Sequence, residues 1–172
     1  ILVLTKPLGT GALFAADMRC KAKGRWVCAA LCSMTQSNRA AADCLIGYGT
    51  TAMTDVSGFG LLGHLVEMTK ASGVATTVTL DIVPALDGTL EVMDKGIFSS
   101  LHAENVRLRR AISGLEKAAR NPVYPLIFDP QTAGGLLASV PADNAESCVN
   151  ALRELGYGSA IAIGEVREAD AG

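Results

Sequence analysis

The chain has 172 residues, the length of one domain. Hydrophobic residues make up 49% and charged residues 19%, and mean hydropathy is +0.32, which excludes a disordered chain and leaves ample apolar surface for a core. Fifteen Lys and Arg against seventeen Asp and Glu give a net charge of −2, which argues against a broad electrostatic surface for nucleic acid or anionic membrane.

The longest apolar stretch, from Trp26 through Cys32, falls far short of the roughly 20 residues that span a bilayer. Ile1-Leu2-Val3-Leu4 lacks the basic flank and cleavage site of a secretory signal. The chain opens without Met, inside what reads as a strand, so it is expected to be a piece of a longer cytoplasmic protein. Residues 1–5 are that strand, ended by Lys6-Pro7, and Leu8-Gly9-Thr10-Gly11 turns into a helix over 12–22. Two more helices are expected over 26–34 and 37–45, the latter with Ser37 as N-cap. Residues 50–54 are a weak strand leading to Asp55, and a helix from Gly58 is stopped by Gly73.

The β-branched residues 76–79 predict a strand over 74–80. A short helix over 86–95, a polar loop over 96–105 that could meet a substrate or partner, and a basic amphipathic helix over 106–120 follow. Residues 124–128 read as a buried strand, Asp129-Pro130 as a turn, and 135–140 as another strand. Pro141 and Asp143 open a helix through Leu155, stopped by Gly156, and 159–166 close the domain as a strand before a tail over 167–172. Strands and helices interleave throughout. The expected fold is α/β (α+β), a mixed sheet with helices packed on it.

Cys20, Cys28, Cys32, Cys44 and Cys148 are odd in number and form no CxxC pair, so buried free thiols are expected rather than a disulfide framework or a zinc site. The chemistry concentrates in three glycine-rich segments. In TDVSGFGLLGH, residues 54–64, a carboxylate stands just ahead of a helix with three glycines in its first turns. Each costs about 1 kcal/mol in a helix, which close backbone approach would explain. Asp55 there suits magnesium, a hard cation that bridges phosphates, beside the free amides of a helix N-terminus. It also suits an ordinary N-cap, as does Ser57, with the glycines allowing tight packing, and the residues alone favour that plainer reading. His64 is expected to face solvent or to be capped.

In LTKPLGTG, residues 4–11, Gly9, Thr10 and Gly11 are a phosphate-loop candidate or a plain strand-to-helix turn. Neither the Walker A ending nor the dinucleotide fingerprint is present. FDPQTAGGLL, residues 128–137, reads as a turn whose paired glycines open a strand.

These segments, in this order and spacing, together resemble the C-terminal domain of the selenophosphate synthetase (selenide, water dikinase) family, within the aminoimidazole ribonucleotide synthetase superfamily. SMTQSNRAAA at 33–42 and AIAIGEV at 160–166 fit as well, so the resemblance covers essentially the whole chain. It implies a single C-terminal domain, 1–172, of a two-domain magnesium-dependent enzyme. That enzyme makes selenophosphate from ATP, selenide and water, with AMP and phosphate as co-products, and is a homodimer. The nucleophile, its neighbouring lysine and most of the metal-binding aspartates belong to an N-terminal domain absent here. Asp55 matches the one metal-ligand aspartate that the C-terminal domain supplies, and Ser57 stands where many members have Thr. Lys6 does not correspond to the catalytic lysine, nor any of the five cysteines to the nucleophile. Another ATP-dependent member of the superfamily, in purine or thiamine metabolism, and a non-catalytic binding or dimerisation domain of the same fold are the alternatives.

Overall fold

A computed structural model describes residues 1–169. Five strands, β1 (Leu2–Leu4), β2 (Ala52–Asp55), β3 (Val74–Val78), β4 (Leu136–Ser139) and β5 (Ile161–Glu168), form one sheet in the order β2-β4-β1-β5-β3. All four pairings are antiparallel, and an isolated parallel bridge joins Leu8 to Ala85.

β1 is central and wholly buried, and its alternation divides the core. Leu2 and Leu4 join Leu137 and Ile163 on one face, while Val3 joins Leu136 and Ala138 on the other. The first face is covered by α1 (Thr10–Asp17), α2 (Gly24–Thr35), α4 (Gly60–Ser72) and α5 (Thr89–Asp94). The second is covered by α3 (Arg39–Gly47) and α8 (Ala142–Glu154). Two short helices, α6 (His102–Asn105) and α7 (Leu115–Ala118), lie between α5 and β4. The α/β layering expected from the interleaving of elements is therefore present.

Several local expectations are corrected. α1 stops at Asp17 rather than at residue 22, because Cys20 adopts a left-handed φ of 53°. Lys21 N–H then bonds Ala16 O at 2.8 Å and Cys20 N–H bonds Asp17 O at 2.8 Å, which satisfies the last carbonyls of the helix. The basic helix expected over 106–120 is instead a 3₁₀ turn (Val106–Ala111) and α7, broken at Gly114 with φ 72°. Residues 124–128 are a buried 3₁₀ turn (Tyr124–Phe128), not a strand. Pro125 in its first turn has no N–H to give a ladder and a φ suited to a helical start. The loop expected over 96–105 ends in α6, where His102 is buried, stacks on Phe98 and lies 3.0 Å from Pro125 O. β5 runs two residues beyond the expected strand to Glu168, and residues 170–172 of the expected tail lie outside the described residues.

The five cysteines are free, but only Cys148 is buried. Cys44 is half-buried, and Cys20, Cys28 and Cys32 are exposed. Cys28 and Cys32 lie on α2, which buries Trp26 and Ala30 instead.

Candidate functional site

The three glycine-rich segments meet at one end of the sheet. The 129–135 turn stands between the other two and bonds both. On one side, Gln131 Oε1 accepts from Gly9 N–H at 2.9 Å, Thr10 N–H at 3.2 Å and Thr10 Oγ1 at 3.1 Å. Thr10 Oγ1 in turn accepts from Thr132 N–H at 3.0 Å, and Asp129 Oδ2 accepts from Ala12 N–H at 3.3 Å. On the other side, Gln131 N–H bonds Ser57 O at 2.9 Å and Val56 N–H bonds Gly135 O at 2.8 Å. Asn105, buried on α6, donates to Gly58 O at 2.9 Å and to Phe128 O at 3.0 Å, stapling the two turns together.

This closeness explains the glycines. A Cβ on Gly134 would lie 2.2 Å from Val56 O, and one on Gly60 (φ 69°) would lie 2.9 Å from Ile127 O. The close backbone approach expected of the 58–63 glycines is thus made by the protein itself at Gly60. Gly58 faces open space.

Gly9, Thr10 and Gly11 sit at the start of α1, as expected, but Gln131 already takes the amides of Gly9 and Thr10. The helix N-terminus faces an internal carboxamide and the Asp129 carboxyl. Asp129 is fully buried, its Oδ1 has no hydrogen-bond partner among the described residues, and burial pushes its pKa up to about 7 against the opposing pull of the amides and Gln131. Lys6 is buried too. Its Nζ donates to Gln36 O, at the C-terminal end of α2, at 2.6 Å and to Ala133 O at 3.4 Å. Burial lowers its pKa, and the helix end supplies the partial negative charge that holds it.

Asp55 is placed differently. It is the last residue of edge strand β2, paired through the backbone with Leu136, and it is exposed. Neither Asp55 nor Ser57 caps α4, which starts at Gly60 with no side-chain cap bond, so the N-cap reading of both residues is set aside. Asp55 forms no ion pair among the described residues. A hollow of about 450 Å³ lies against residues 114–120 and one of about 260 Å³ lies between α4 and the sheet, and Asp55 lines neither. His64, expected in solvent or capped, is buried and lies 3.2 Å from Ser57 Oγ.

An exposed, unpaired carboxylate is a fitting ligand for a hard divalent cation, which needs only one or two protein carboxylates when phosphates supply the rest. No group of three His, Cys, Asp or Glu that could hold a metal occurs among the described residues. Sequence reasoning missed Asp129, Gln131 and Asn105. A polar pair around Pro130 ahead of two glycines was the available signal, but its partners lie more than a hundred residues away.

Residues 1–172 match the family described as AIR synthase related protein, C-terminal domain, and the chain belongs to it. Within that class, it is similar to the selenide, water dikinase of Pelobacter propionicus, 37% identical over 167 residues covering 97% of this chain and 48% of the relative. It is also similar to the selenide, water dikinase of Pasteurella multocida, 40% identical over 149 residues covering 84% and 40%. The chain spans about half the length of these relatives. In fold it resembles the hydrogenase maturation protein HypE in complex with ATP, with a TM-score of 0.70 and 16% identity over 98% of this chain and 42% of that one. Thiamine monophosphate kinase from Aquifex aeolicus gives a TM-score of 0.58 and 17% identity over 98% and 47%.

Proposed function

We propose that the chain is the C-terminal half of a two-domain, magnesium-dependent selenide, water dikinase. In this reading the whole protein is a cytoplasmic homodimer that makes selenophosphate from ATP, selenide and water, with AMP and phosphate as co-products. The nucleophile, its lysine and the remaining aspartates come from an N-terminal domain. The observation that carries the reading is Asp55, an exposed carboxylate without a cationic partner among the described residues, held at the end of β2 by the hydrogen-bonded turns behind it. The names of the relatives and the ATP complex of HypE support the substrate class.

Phosphoryl transfer asks a protein mainly for positioning and charge neutralisation. Magnesium, when bound, supplies that neutralisation at the phosphates. Asp55 would hold one side of the ion. Val56, Ser57 and Gly58 are tied through their backbone to Gly135, Gln131 and Asn105, which keeps the carboxylate in place. Gly9, Thr10 and Gly11 serve this site by anchoring the 129–131 turn.

Fold likeness to thiamine monophosphate kinase favours a second reading, another ATP-dependent member of the superfamily. The two part on selenide. The full-length protein is expected to form AMP from ATP only when selenide is present, with a selenophosphate signal in the phosphorus NMR spectrum. ATP turnover indifferent to selenide would give the second reading. Residues 1–172 alone are expected to form no AMP with selenide, and AMP formation by them would remove the split-site account.

A further inference from the structure

A second set of bonds grips the 129–135 turn, from the corner between α2 and α3. Lys6, 2% exposed, bridges Gln36 O at 2.6 Å and Ala133 O at 3.4 Å with one ammonium. Asn38 Nδ2 donates to Gly134 O at 2.8 Å. Two successive carbonyls of the turn are therefore held by two side chains from one corner. The turn needs holding, because Ala133 sits at a left-handed φ of 48° that residues with a Cβ rarely adopt.

Neither side chain is in the arrangement that favours stability most. Lys6 forms no ion pair among the described residues. A buried ammonium without a carboxylate gives up its hydration, a cost that an apolar chain of similar volume avoids. Asn38 occupies the N-cap position of α3 yet makes no side-chain cap bond, the stabilising use of Asn at that place. Its amide goes to Gly134 O instead, and its Oδ1 is buried without a partner among the described residues.

The held turn adjoins the end of β2. Gly135 O accepts from Val56 N–H at 2.8 Å, and Asp55 itself pairs through the backbone with Leu136. Leu136 N–H is taken by Thr5 Oγ1 at 2.7 Å, one residue before Lys6. A Cβ on Gly134 would lie 2.2 Å from Val56 O, so no gap is left to absorb a shift of the turn. Resting on the reading of Asp55 as a cation ligand, we infer that Lys6 and Asn38 are positioning residues. By holding the carbonyls of Ala133 and Gly134, they set where the strand end presents the Asp55 carboxylate.

The test is Mn²⁺ binding to the full-length protein with ATP present, read by electron paramagnetic resonance, beside amide hydrogen exchange over residues 52–58. Lys6→Met keeps the straight chain and removes the donors, and Asn38→Ala removes the second hold. Each is expected to weaken Mn²⁺ about fivefold, less than Asp55→Asn does, and to speed exchange at the Val56 amide. Leu152→Ala, which truncates the core under α8, should lower the melting temperature yet leave Mn²⁺ affinity within about twofold of wild type. Should Lys6→Met fail to fold, Asn38→Ala carries the test. Wild-type Mn²⁺ affinity in these two variants, with Asp55→Asn weakened, would overturn the positioning role alone. Weakening by Leu152→Ala as large as theirs would do the same, by showing that lost stability is the cause. Wild-type affinity in Asp55→Asn would overturn the metal reading of Asp55 beneath it.

Discussion

Two glycine-rich junctions lead from a strand into a helix, and they end in opposite states. At the start of α1, the amides of Gly9, Thr10 and Ala12 are all taken by side chains of the 129–131 turn. Between β2 and α4, backbone bonds from Val56 and Gln131 fix the turn, yet the Asp55 carboxylate stands exposed and unpaired among the described residues. By composition each junction could be a phosphate site or an ordinary strand-to-helix turn. What separates them is which polar groups the fold leaves unsatisfied. The first junction is a clasp, and the second leaves its carboxylate exposed.

The clasp can be broken in graded ways. Replacing Gln131 by Leu leaves two buried amides and the Thr10 hydroxyl without their shared acceptor, which should cost about 2–4 kcal/mol of stability in urea unfolding. A loss below about 1 kcal/mol would show that water replaces the carboxamide without cost. Gly134→Ala should cost about 2–3 kcal/mol, since the new methyl would stand 2.2 Å from Val56 O. Gly58→Ala, facing open space in the same region, should change stability by no more than about 0.5 kcal/mol. Equal effects of the two alanines would mean that close approach is not why the glycines are there.

Asp129 makes the clasp sensitive to pH. Its pKa rises from 3.8 to about 7 on burial, so the folded chain keeps a proton that the unfolded chain gives up. Stability should therefore fall as pH rises from about 4 to 7, by up to about 4 kcal/mol, and level off above that range. Asp129→Asn retains an oxygen for Ala12 N–H and Gln131, and should flatten this slope while remaining the more stable form at pH 8. Unfolding curves at pH 5 and pH 8 decide it: a wild-type chain equally stable at both would place the carboxyl in an ordinary solvated state.

Much of the fold could be read locally. The β-branched run at 76–79 is β3, Gly73 with φ 63° ends α4, and the apolar opening residues are the central strand. The misreadings share a cause. Residues 124–128 look like a buried strand because they are apolar, yet Pro125 and the bond between His102 and Pro125 O hold them as a 3₁₀ turn. The 106–120 segment has helical composition, but Gly114, with φ 72°, divides it. The clasp was illegible for a stronger reason. Gln131 is an unremarkable turn residue until the fold brings Gly9, 122 residues earlier, within 2.9 Å. Asp55 stands out in the sequence as a carboxylate ahead of three glycines, and the structure puts it at a strand end rather than at the expected cap.

The contrast between clasp and ligand rests finally on Asp55→Asn in the full-length protein, assayed for selenide-dependent AMP formation across a magnesium titration. Asp55 makes no ion pair among the described residues and caps no helix, so the variant should melt as wild type does. Its turnover at limiting magnesium should drop about 30- to 1,000-fold, with part of the loss recovered as magnesium is raised. Turnover within about threefold of wild type at limiting magnesium, with unchanged melting, would contradict the account and leave Asp55 an ordinary surface carboxylate.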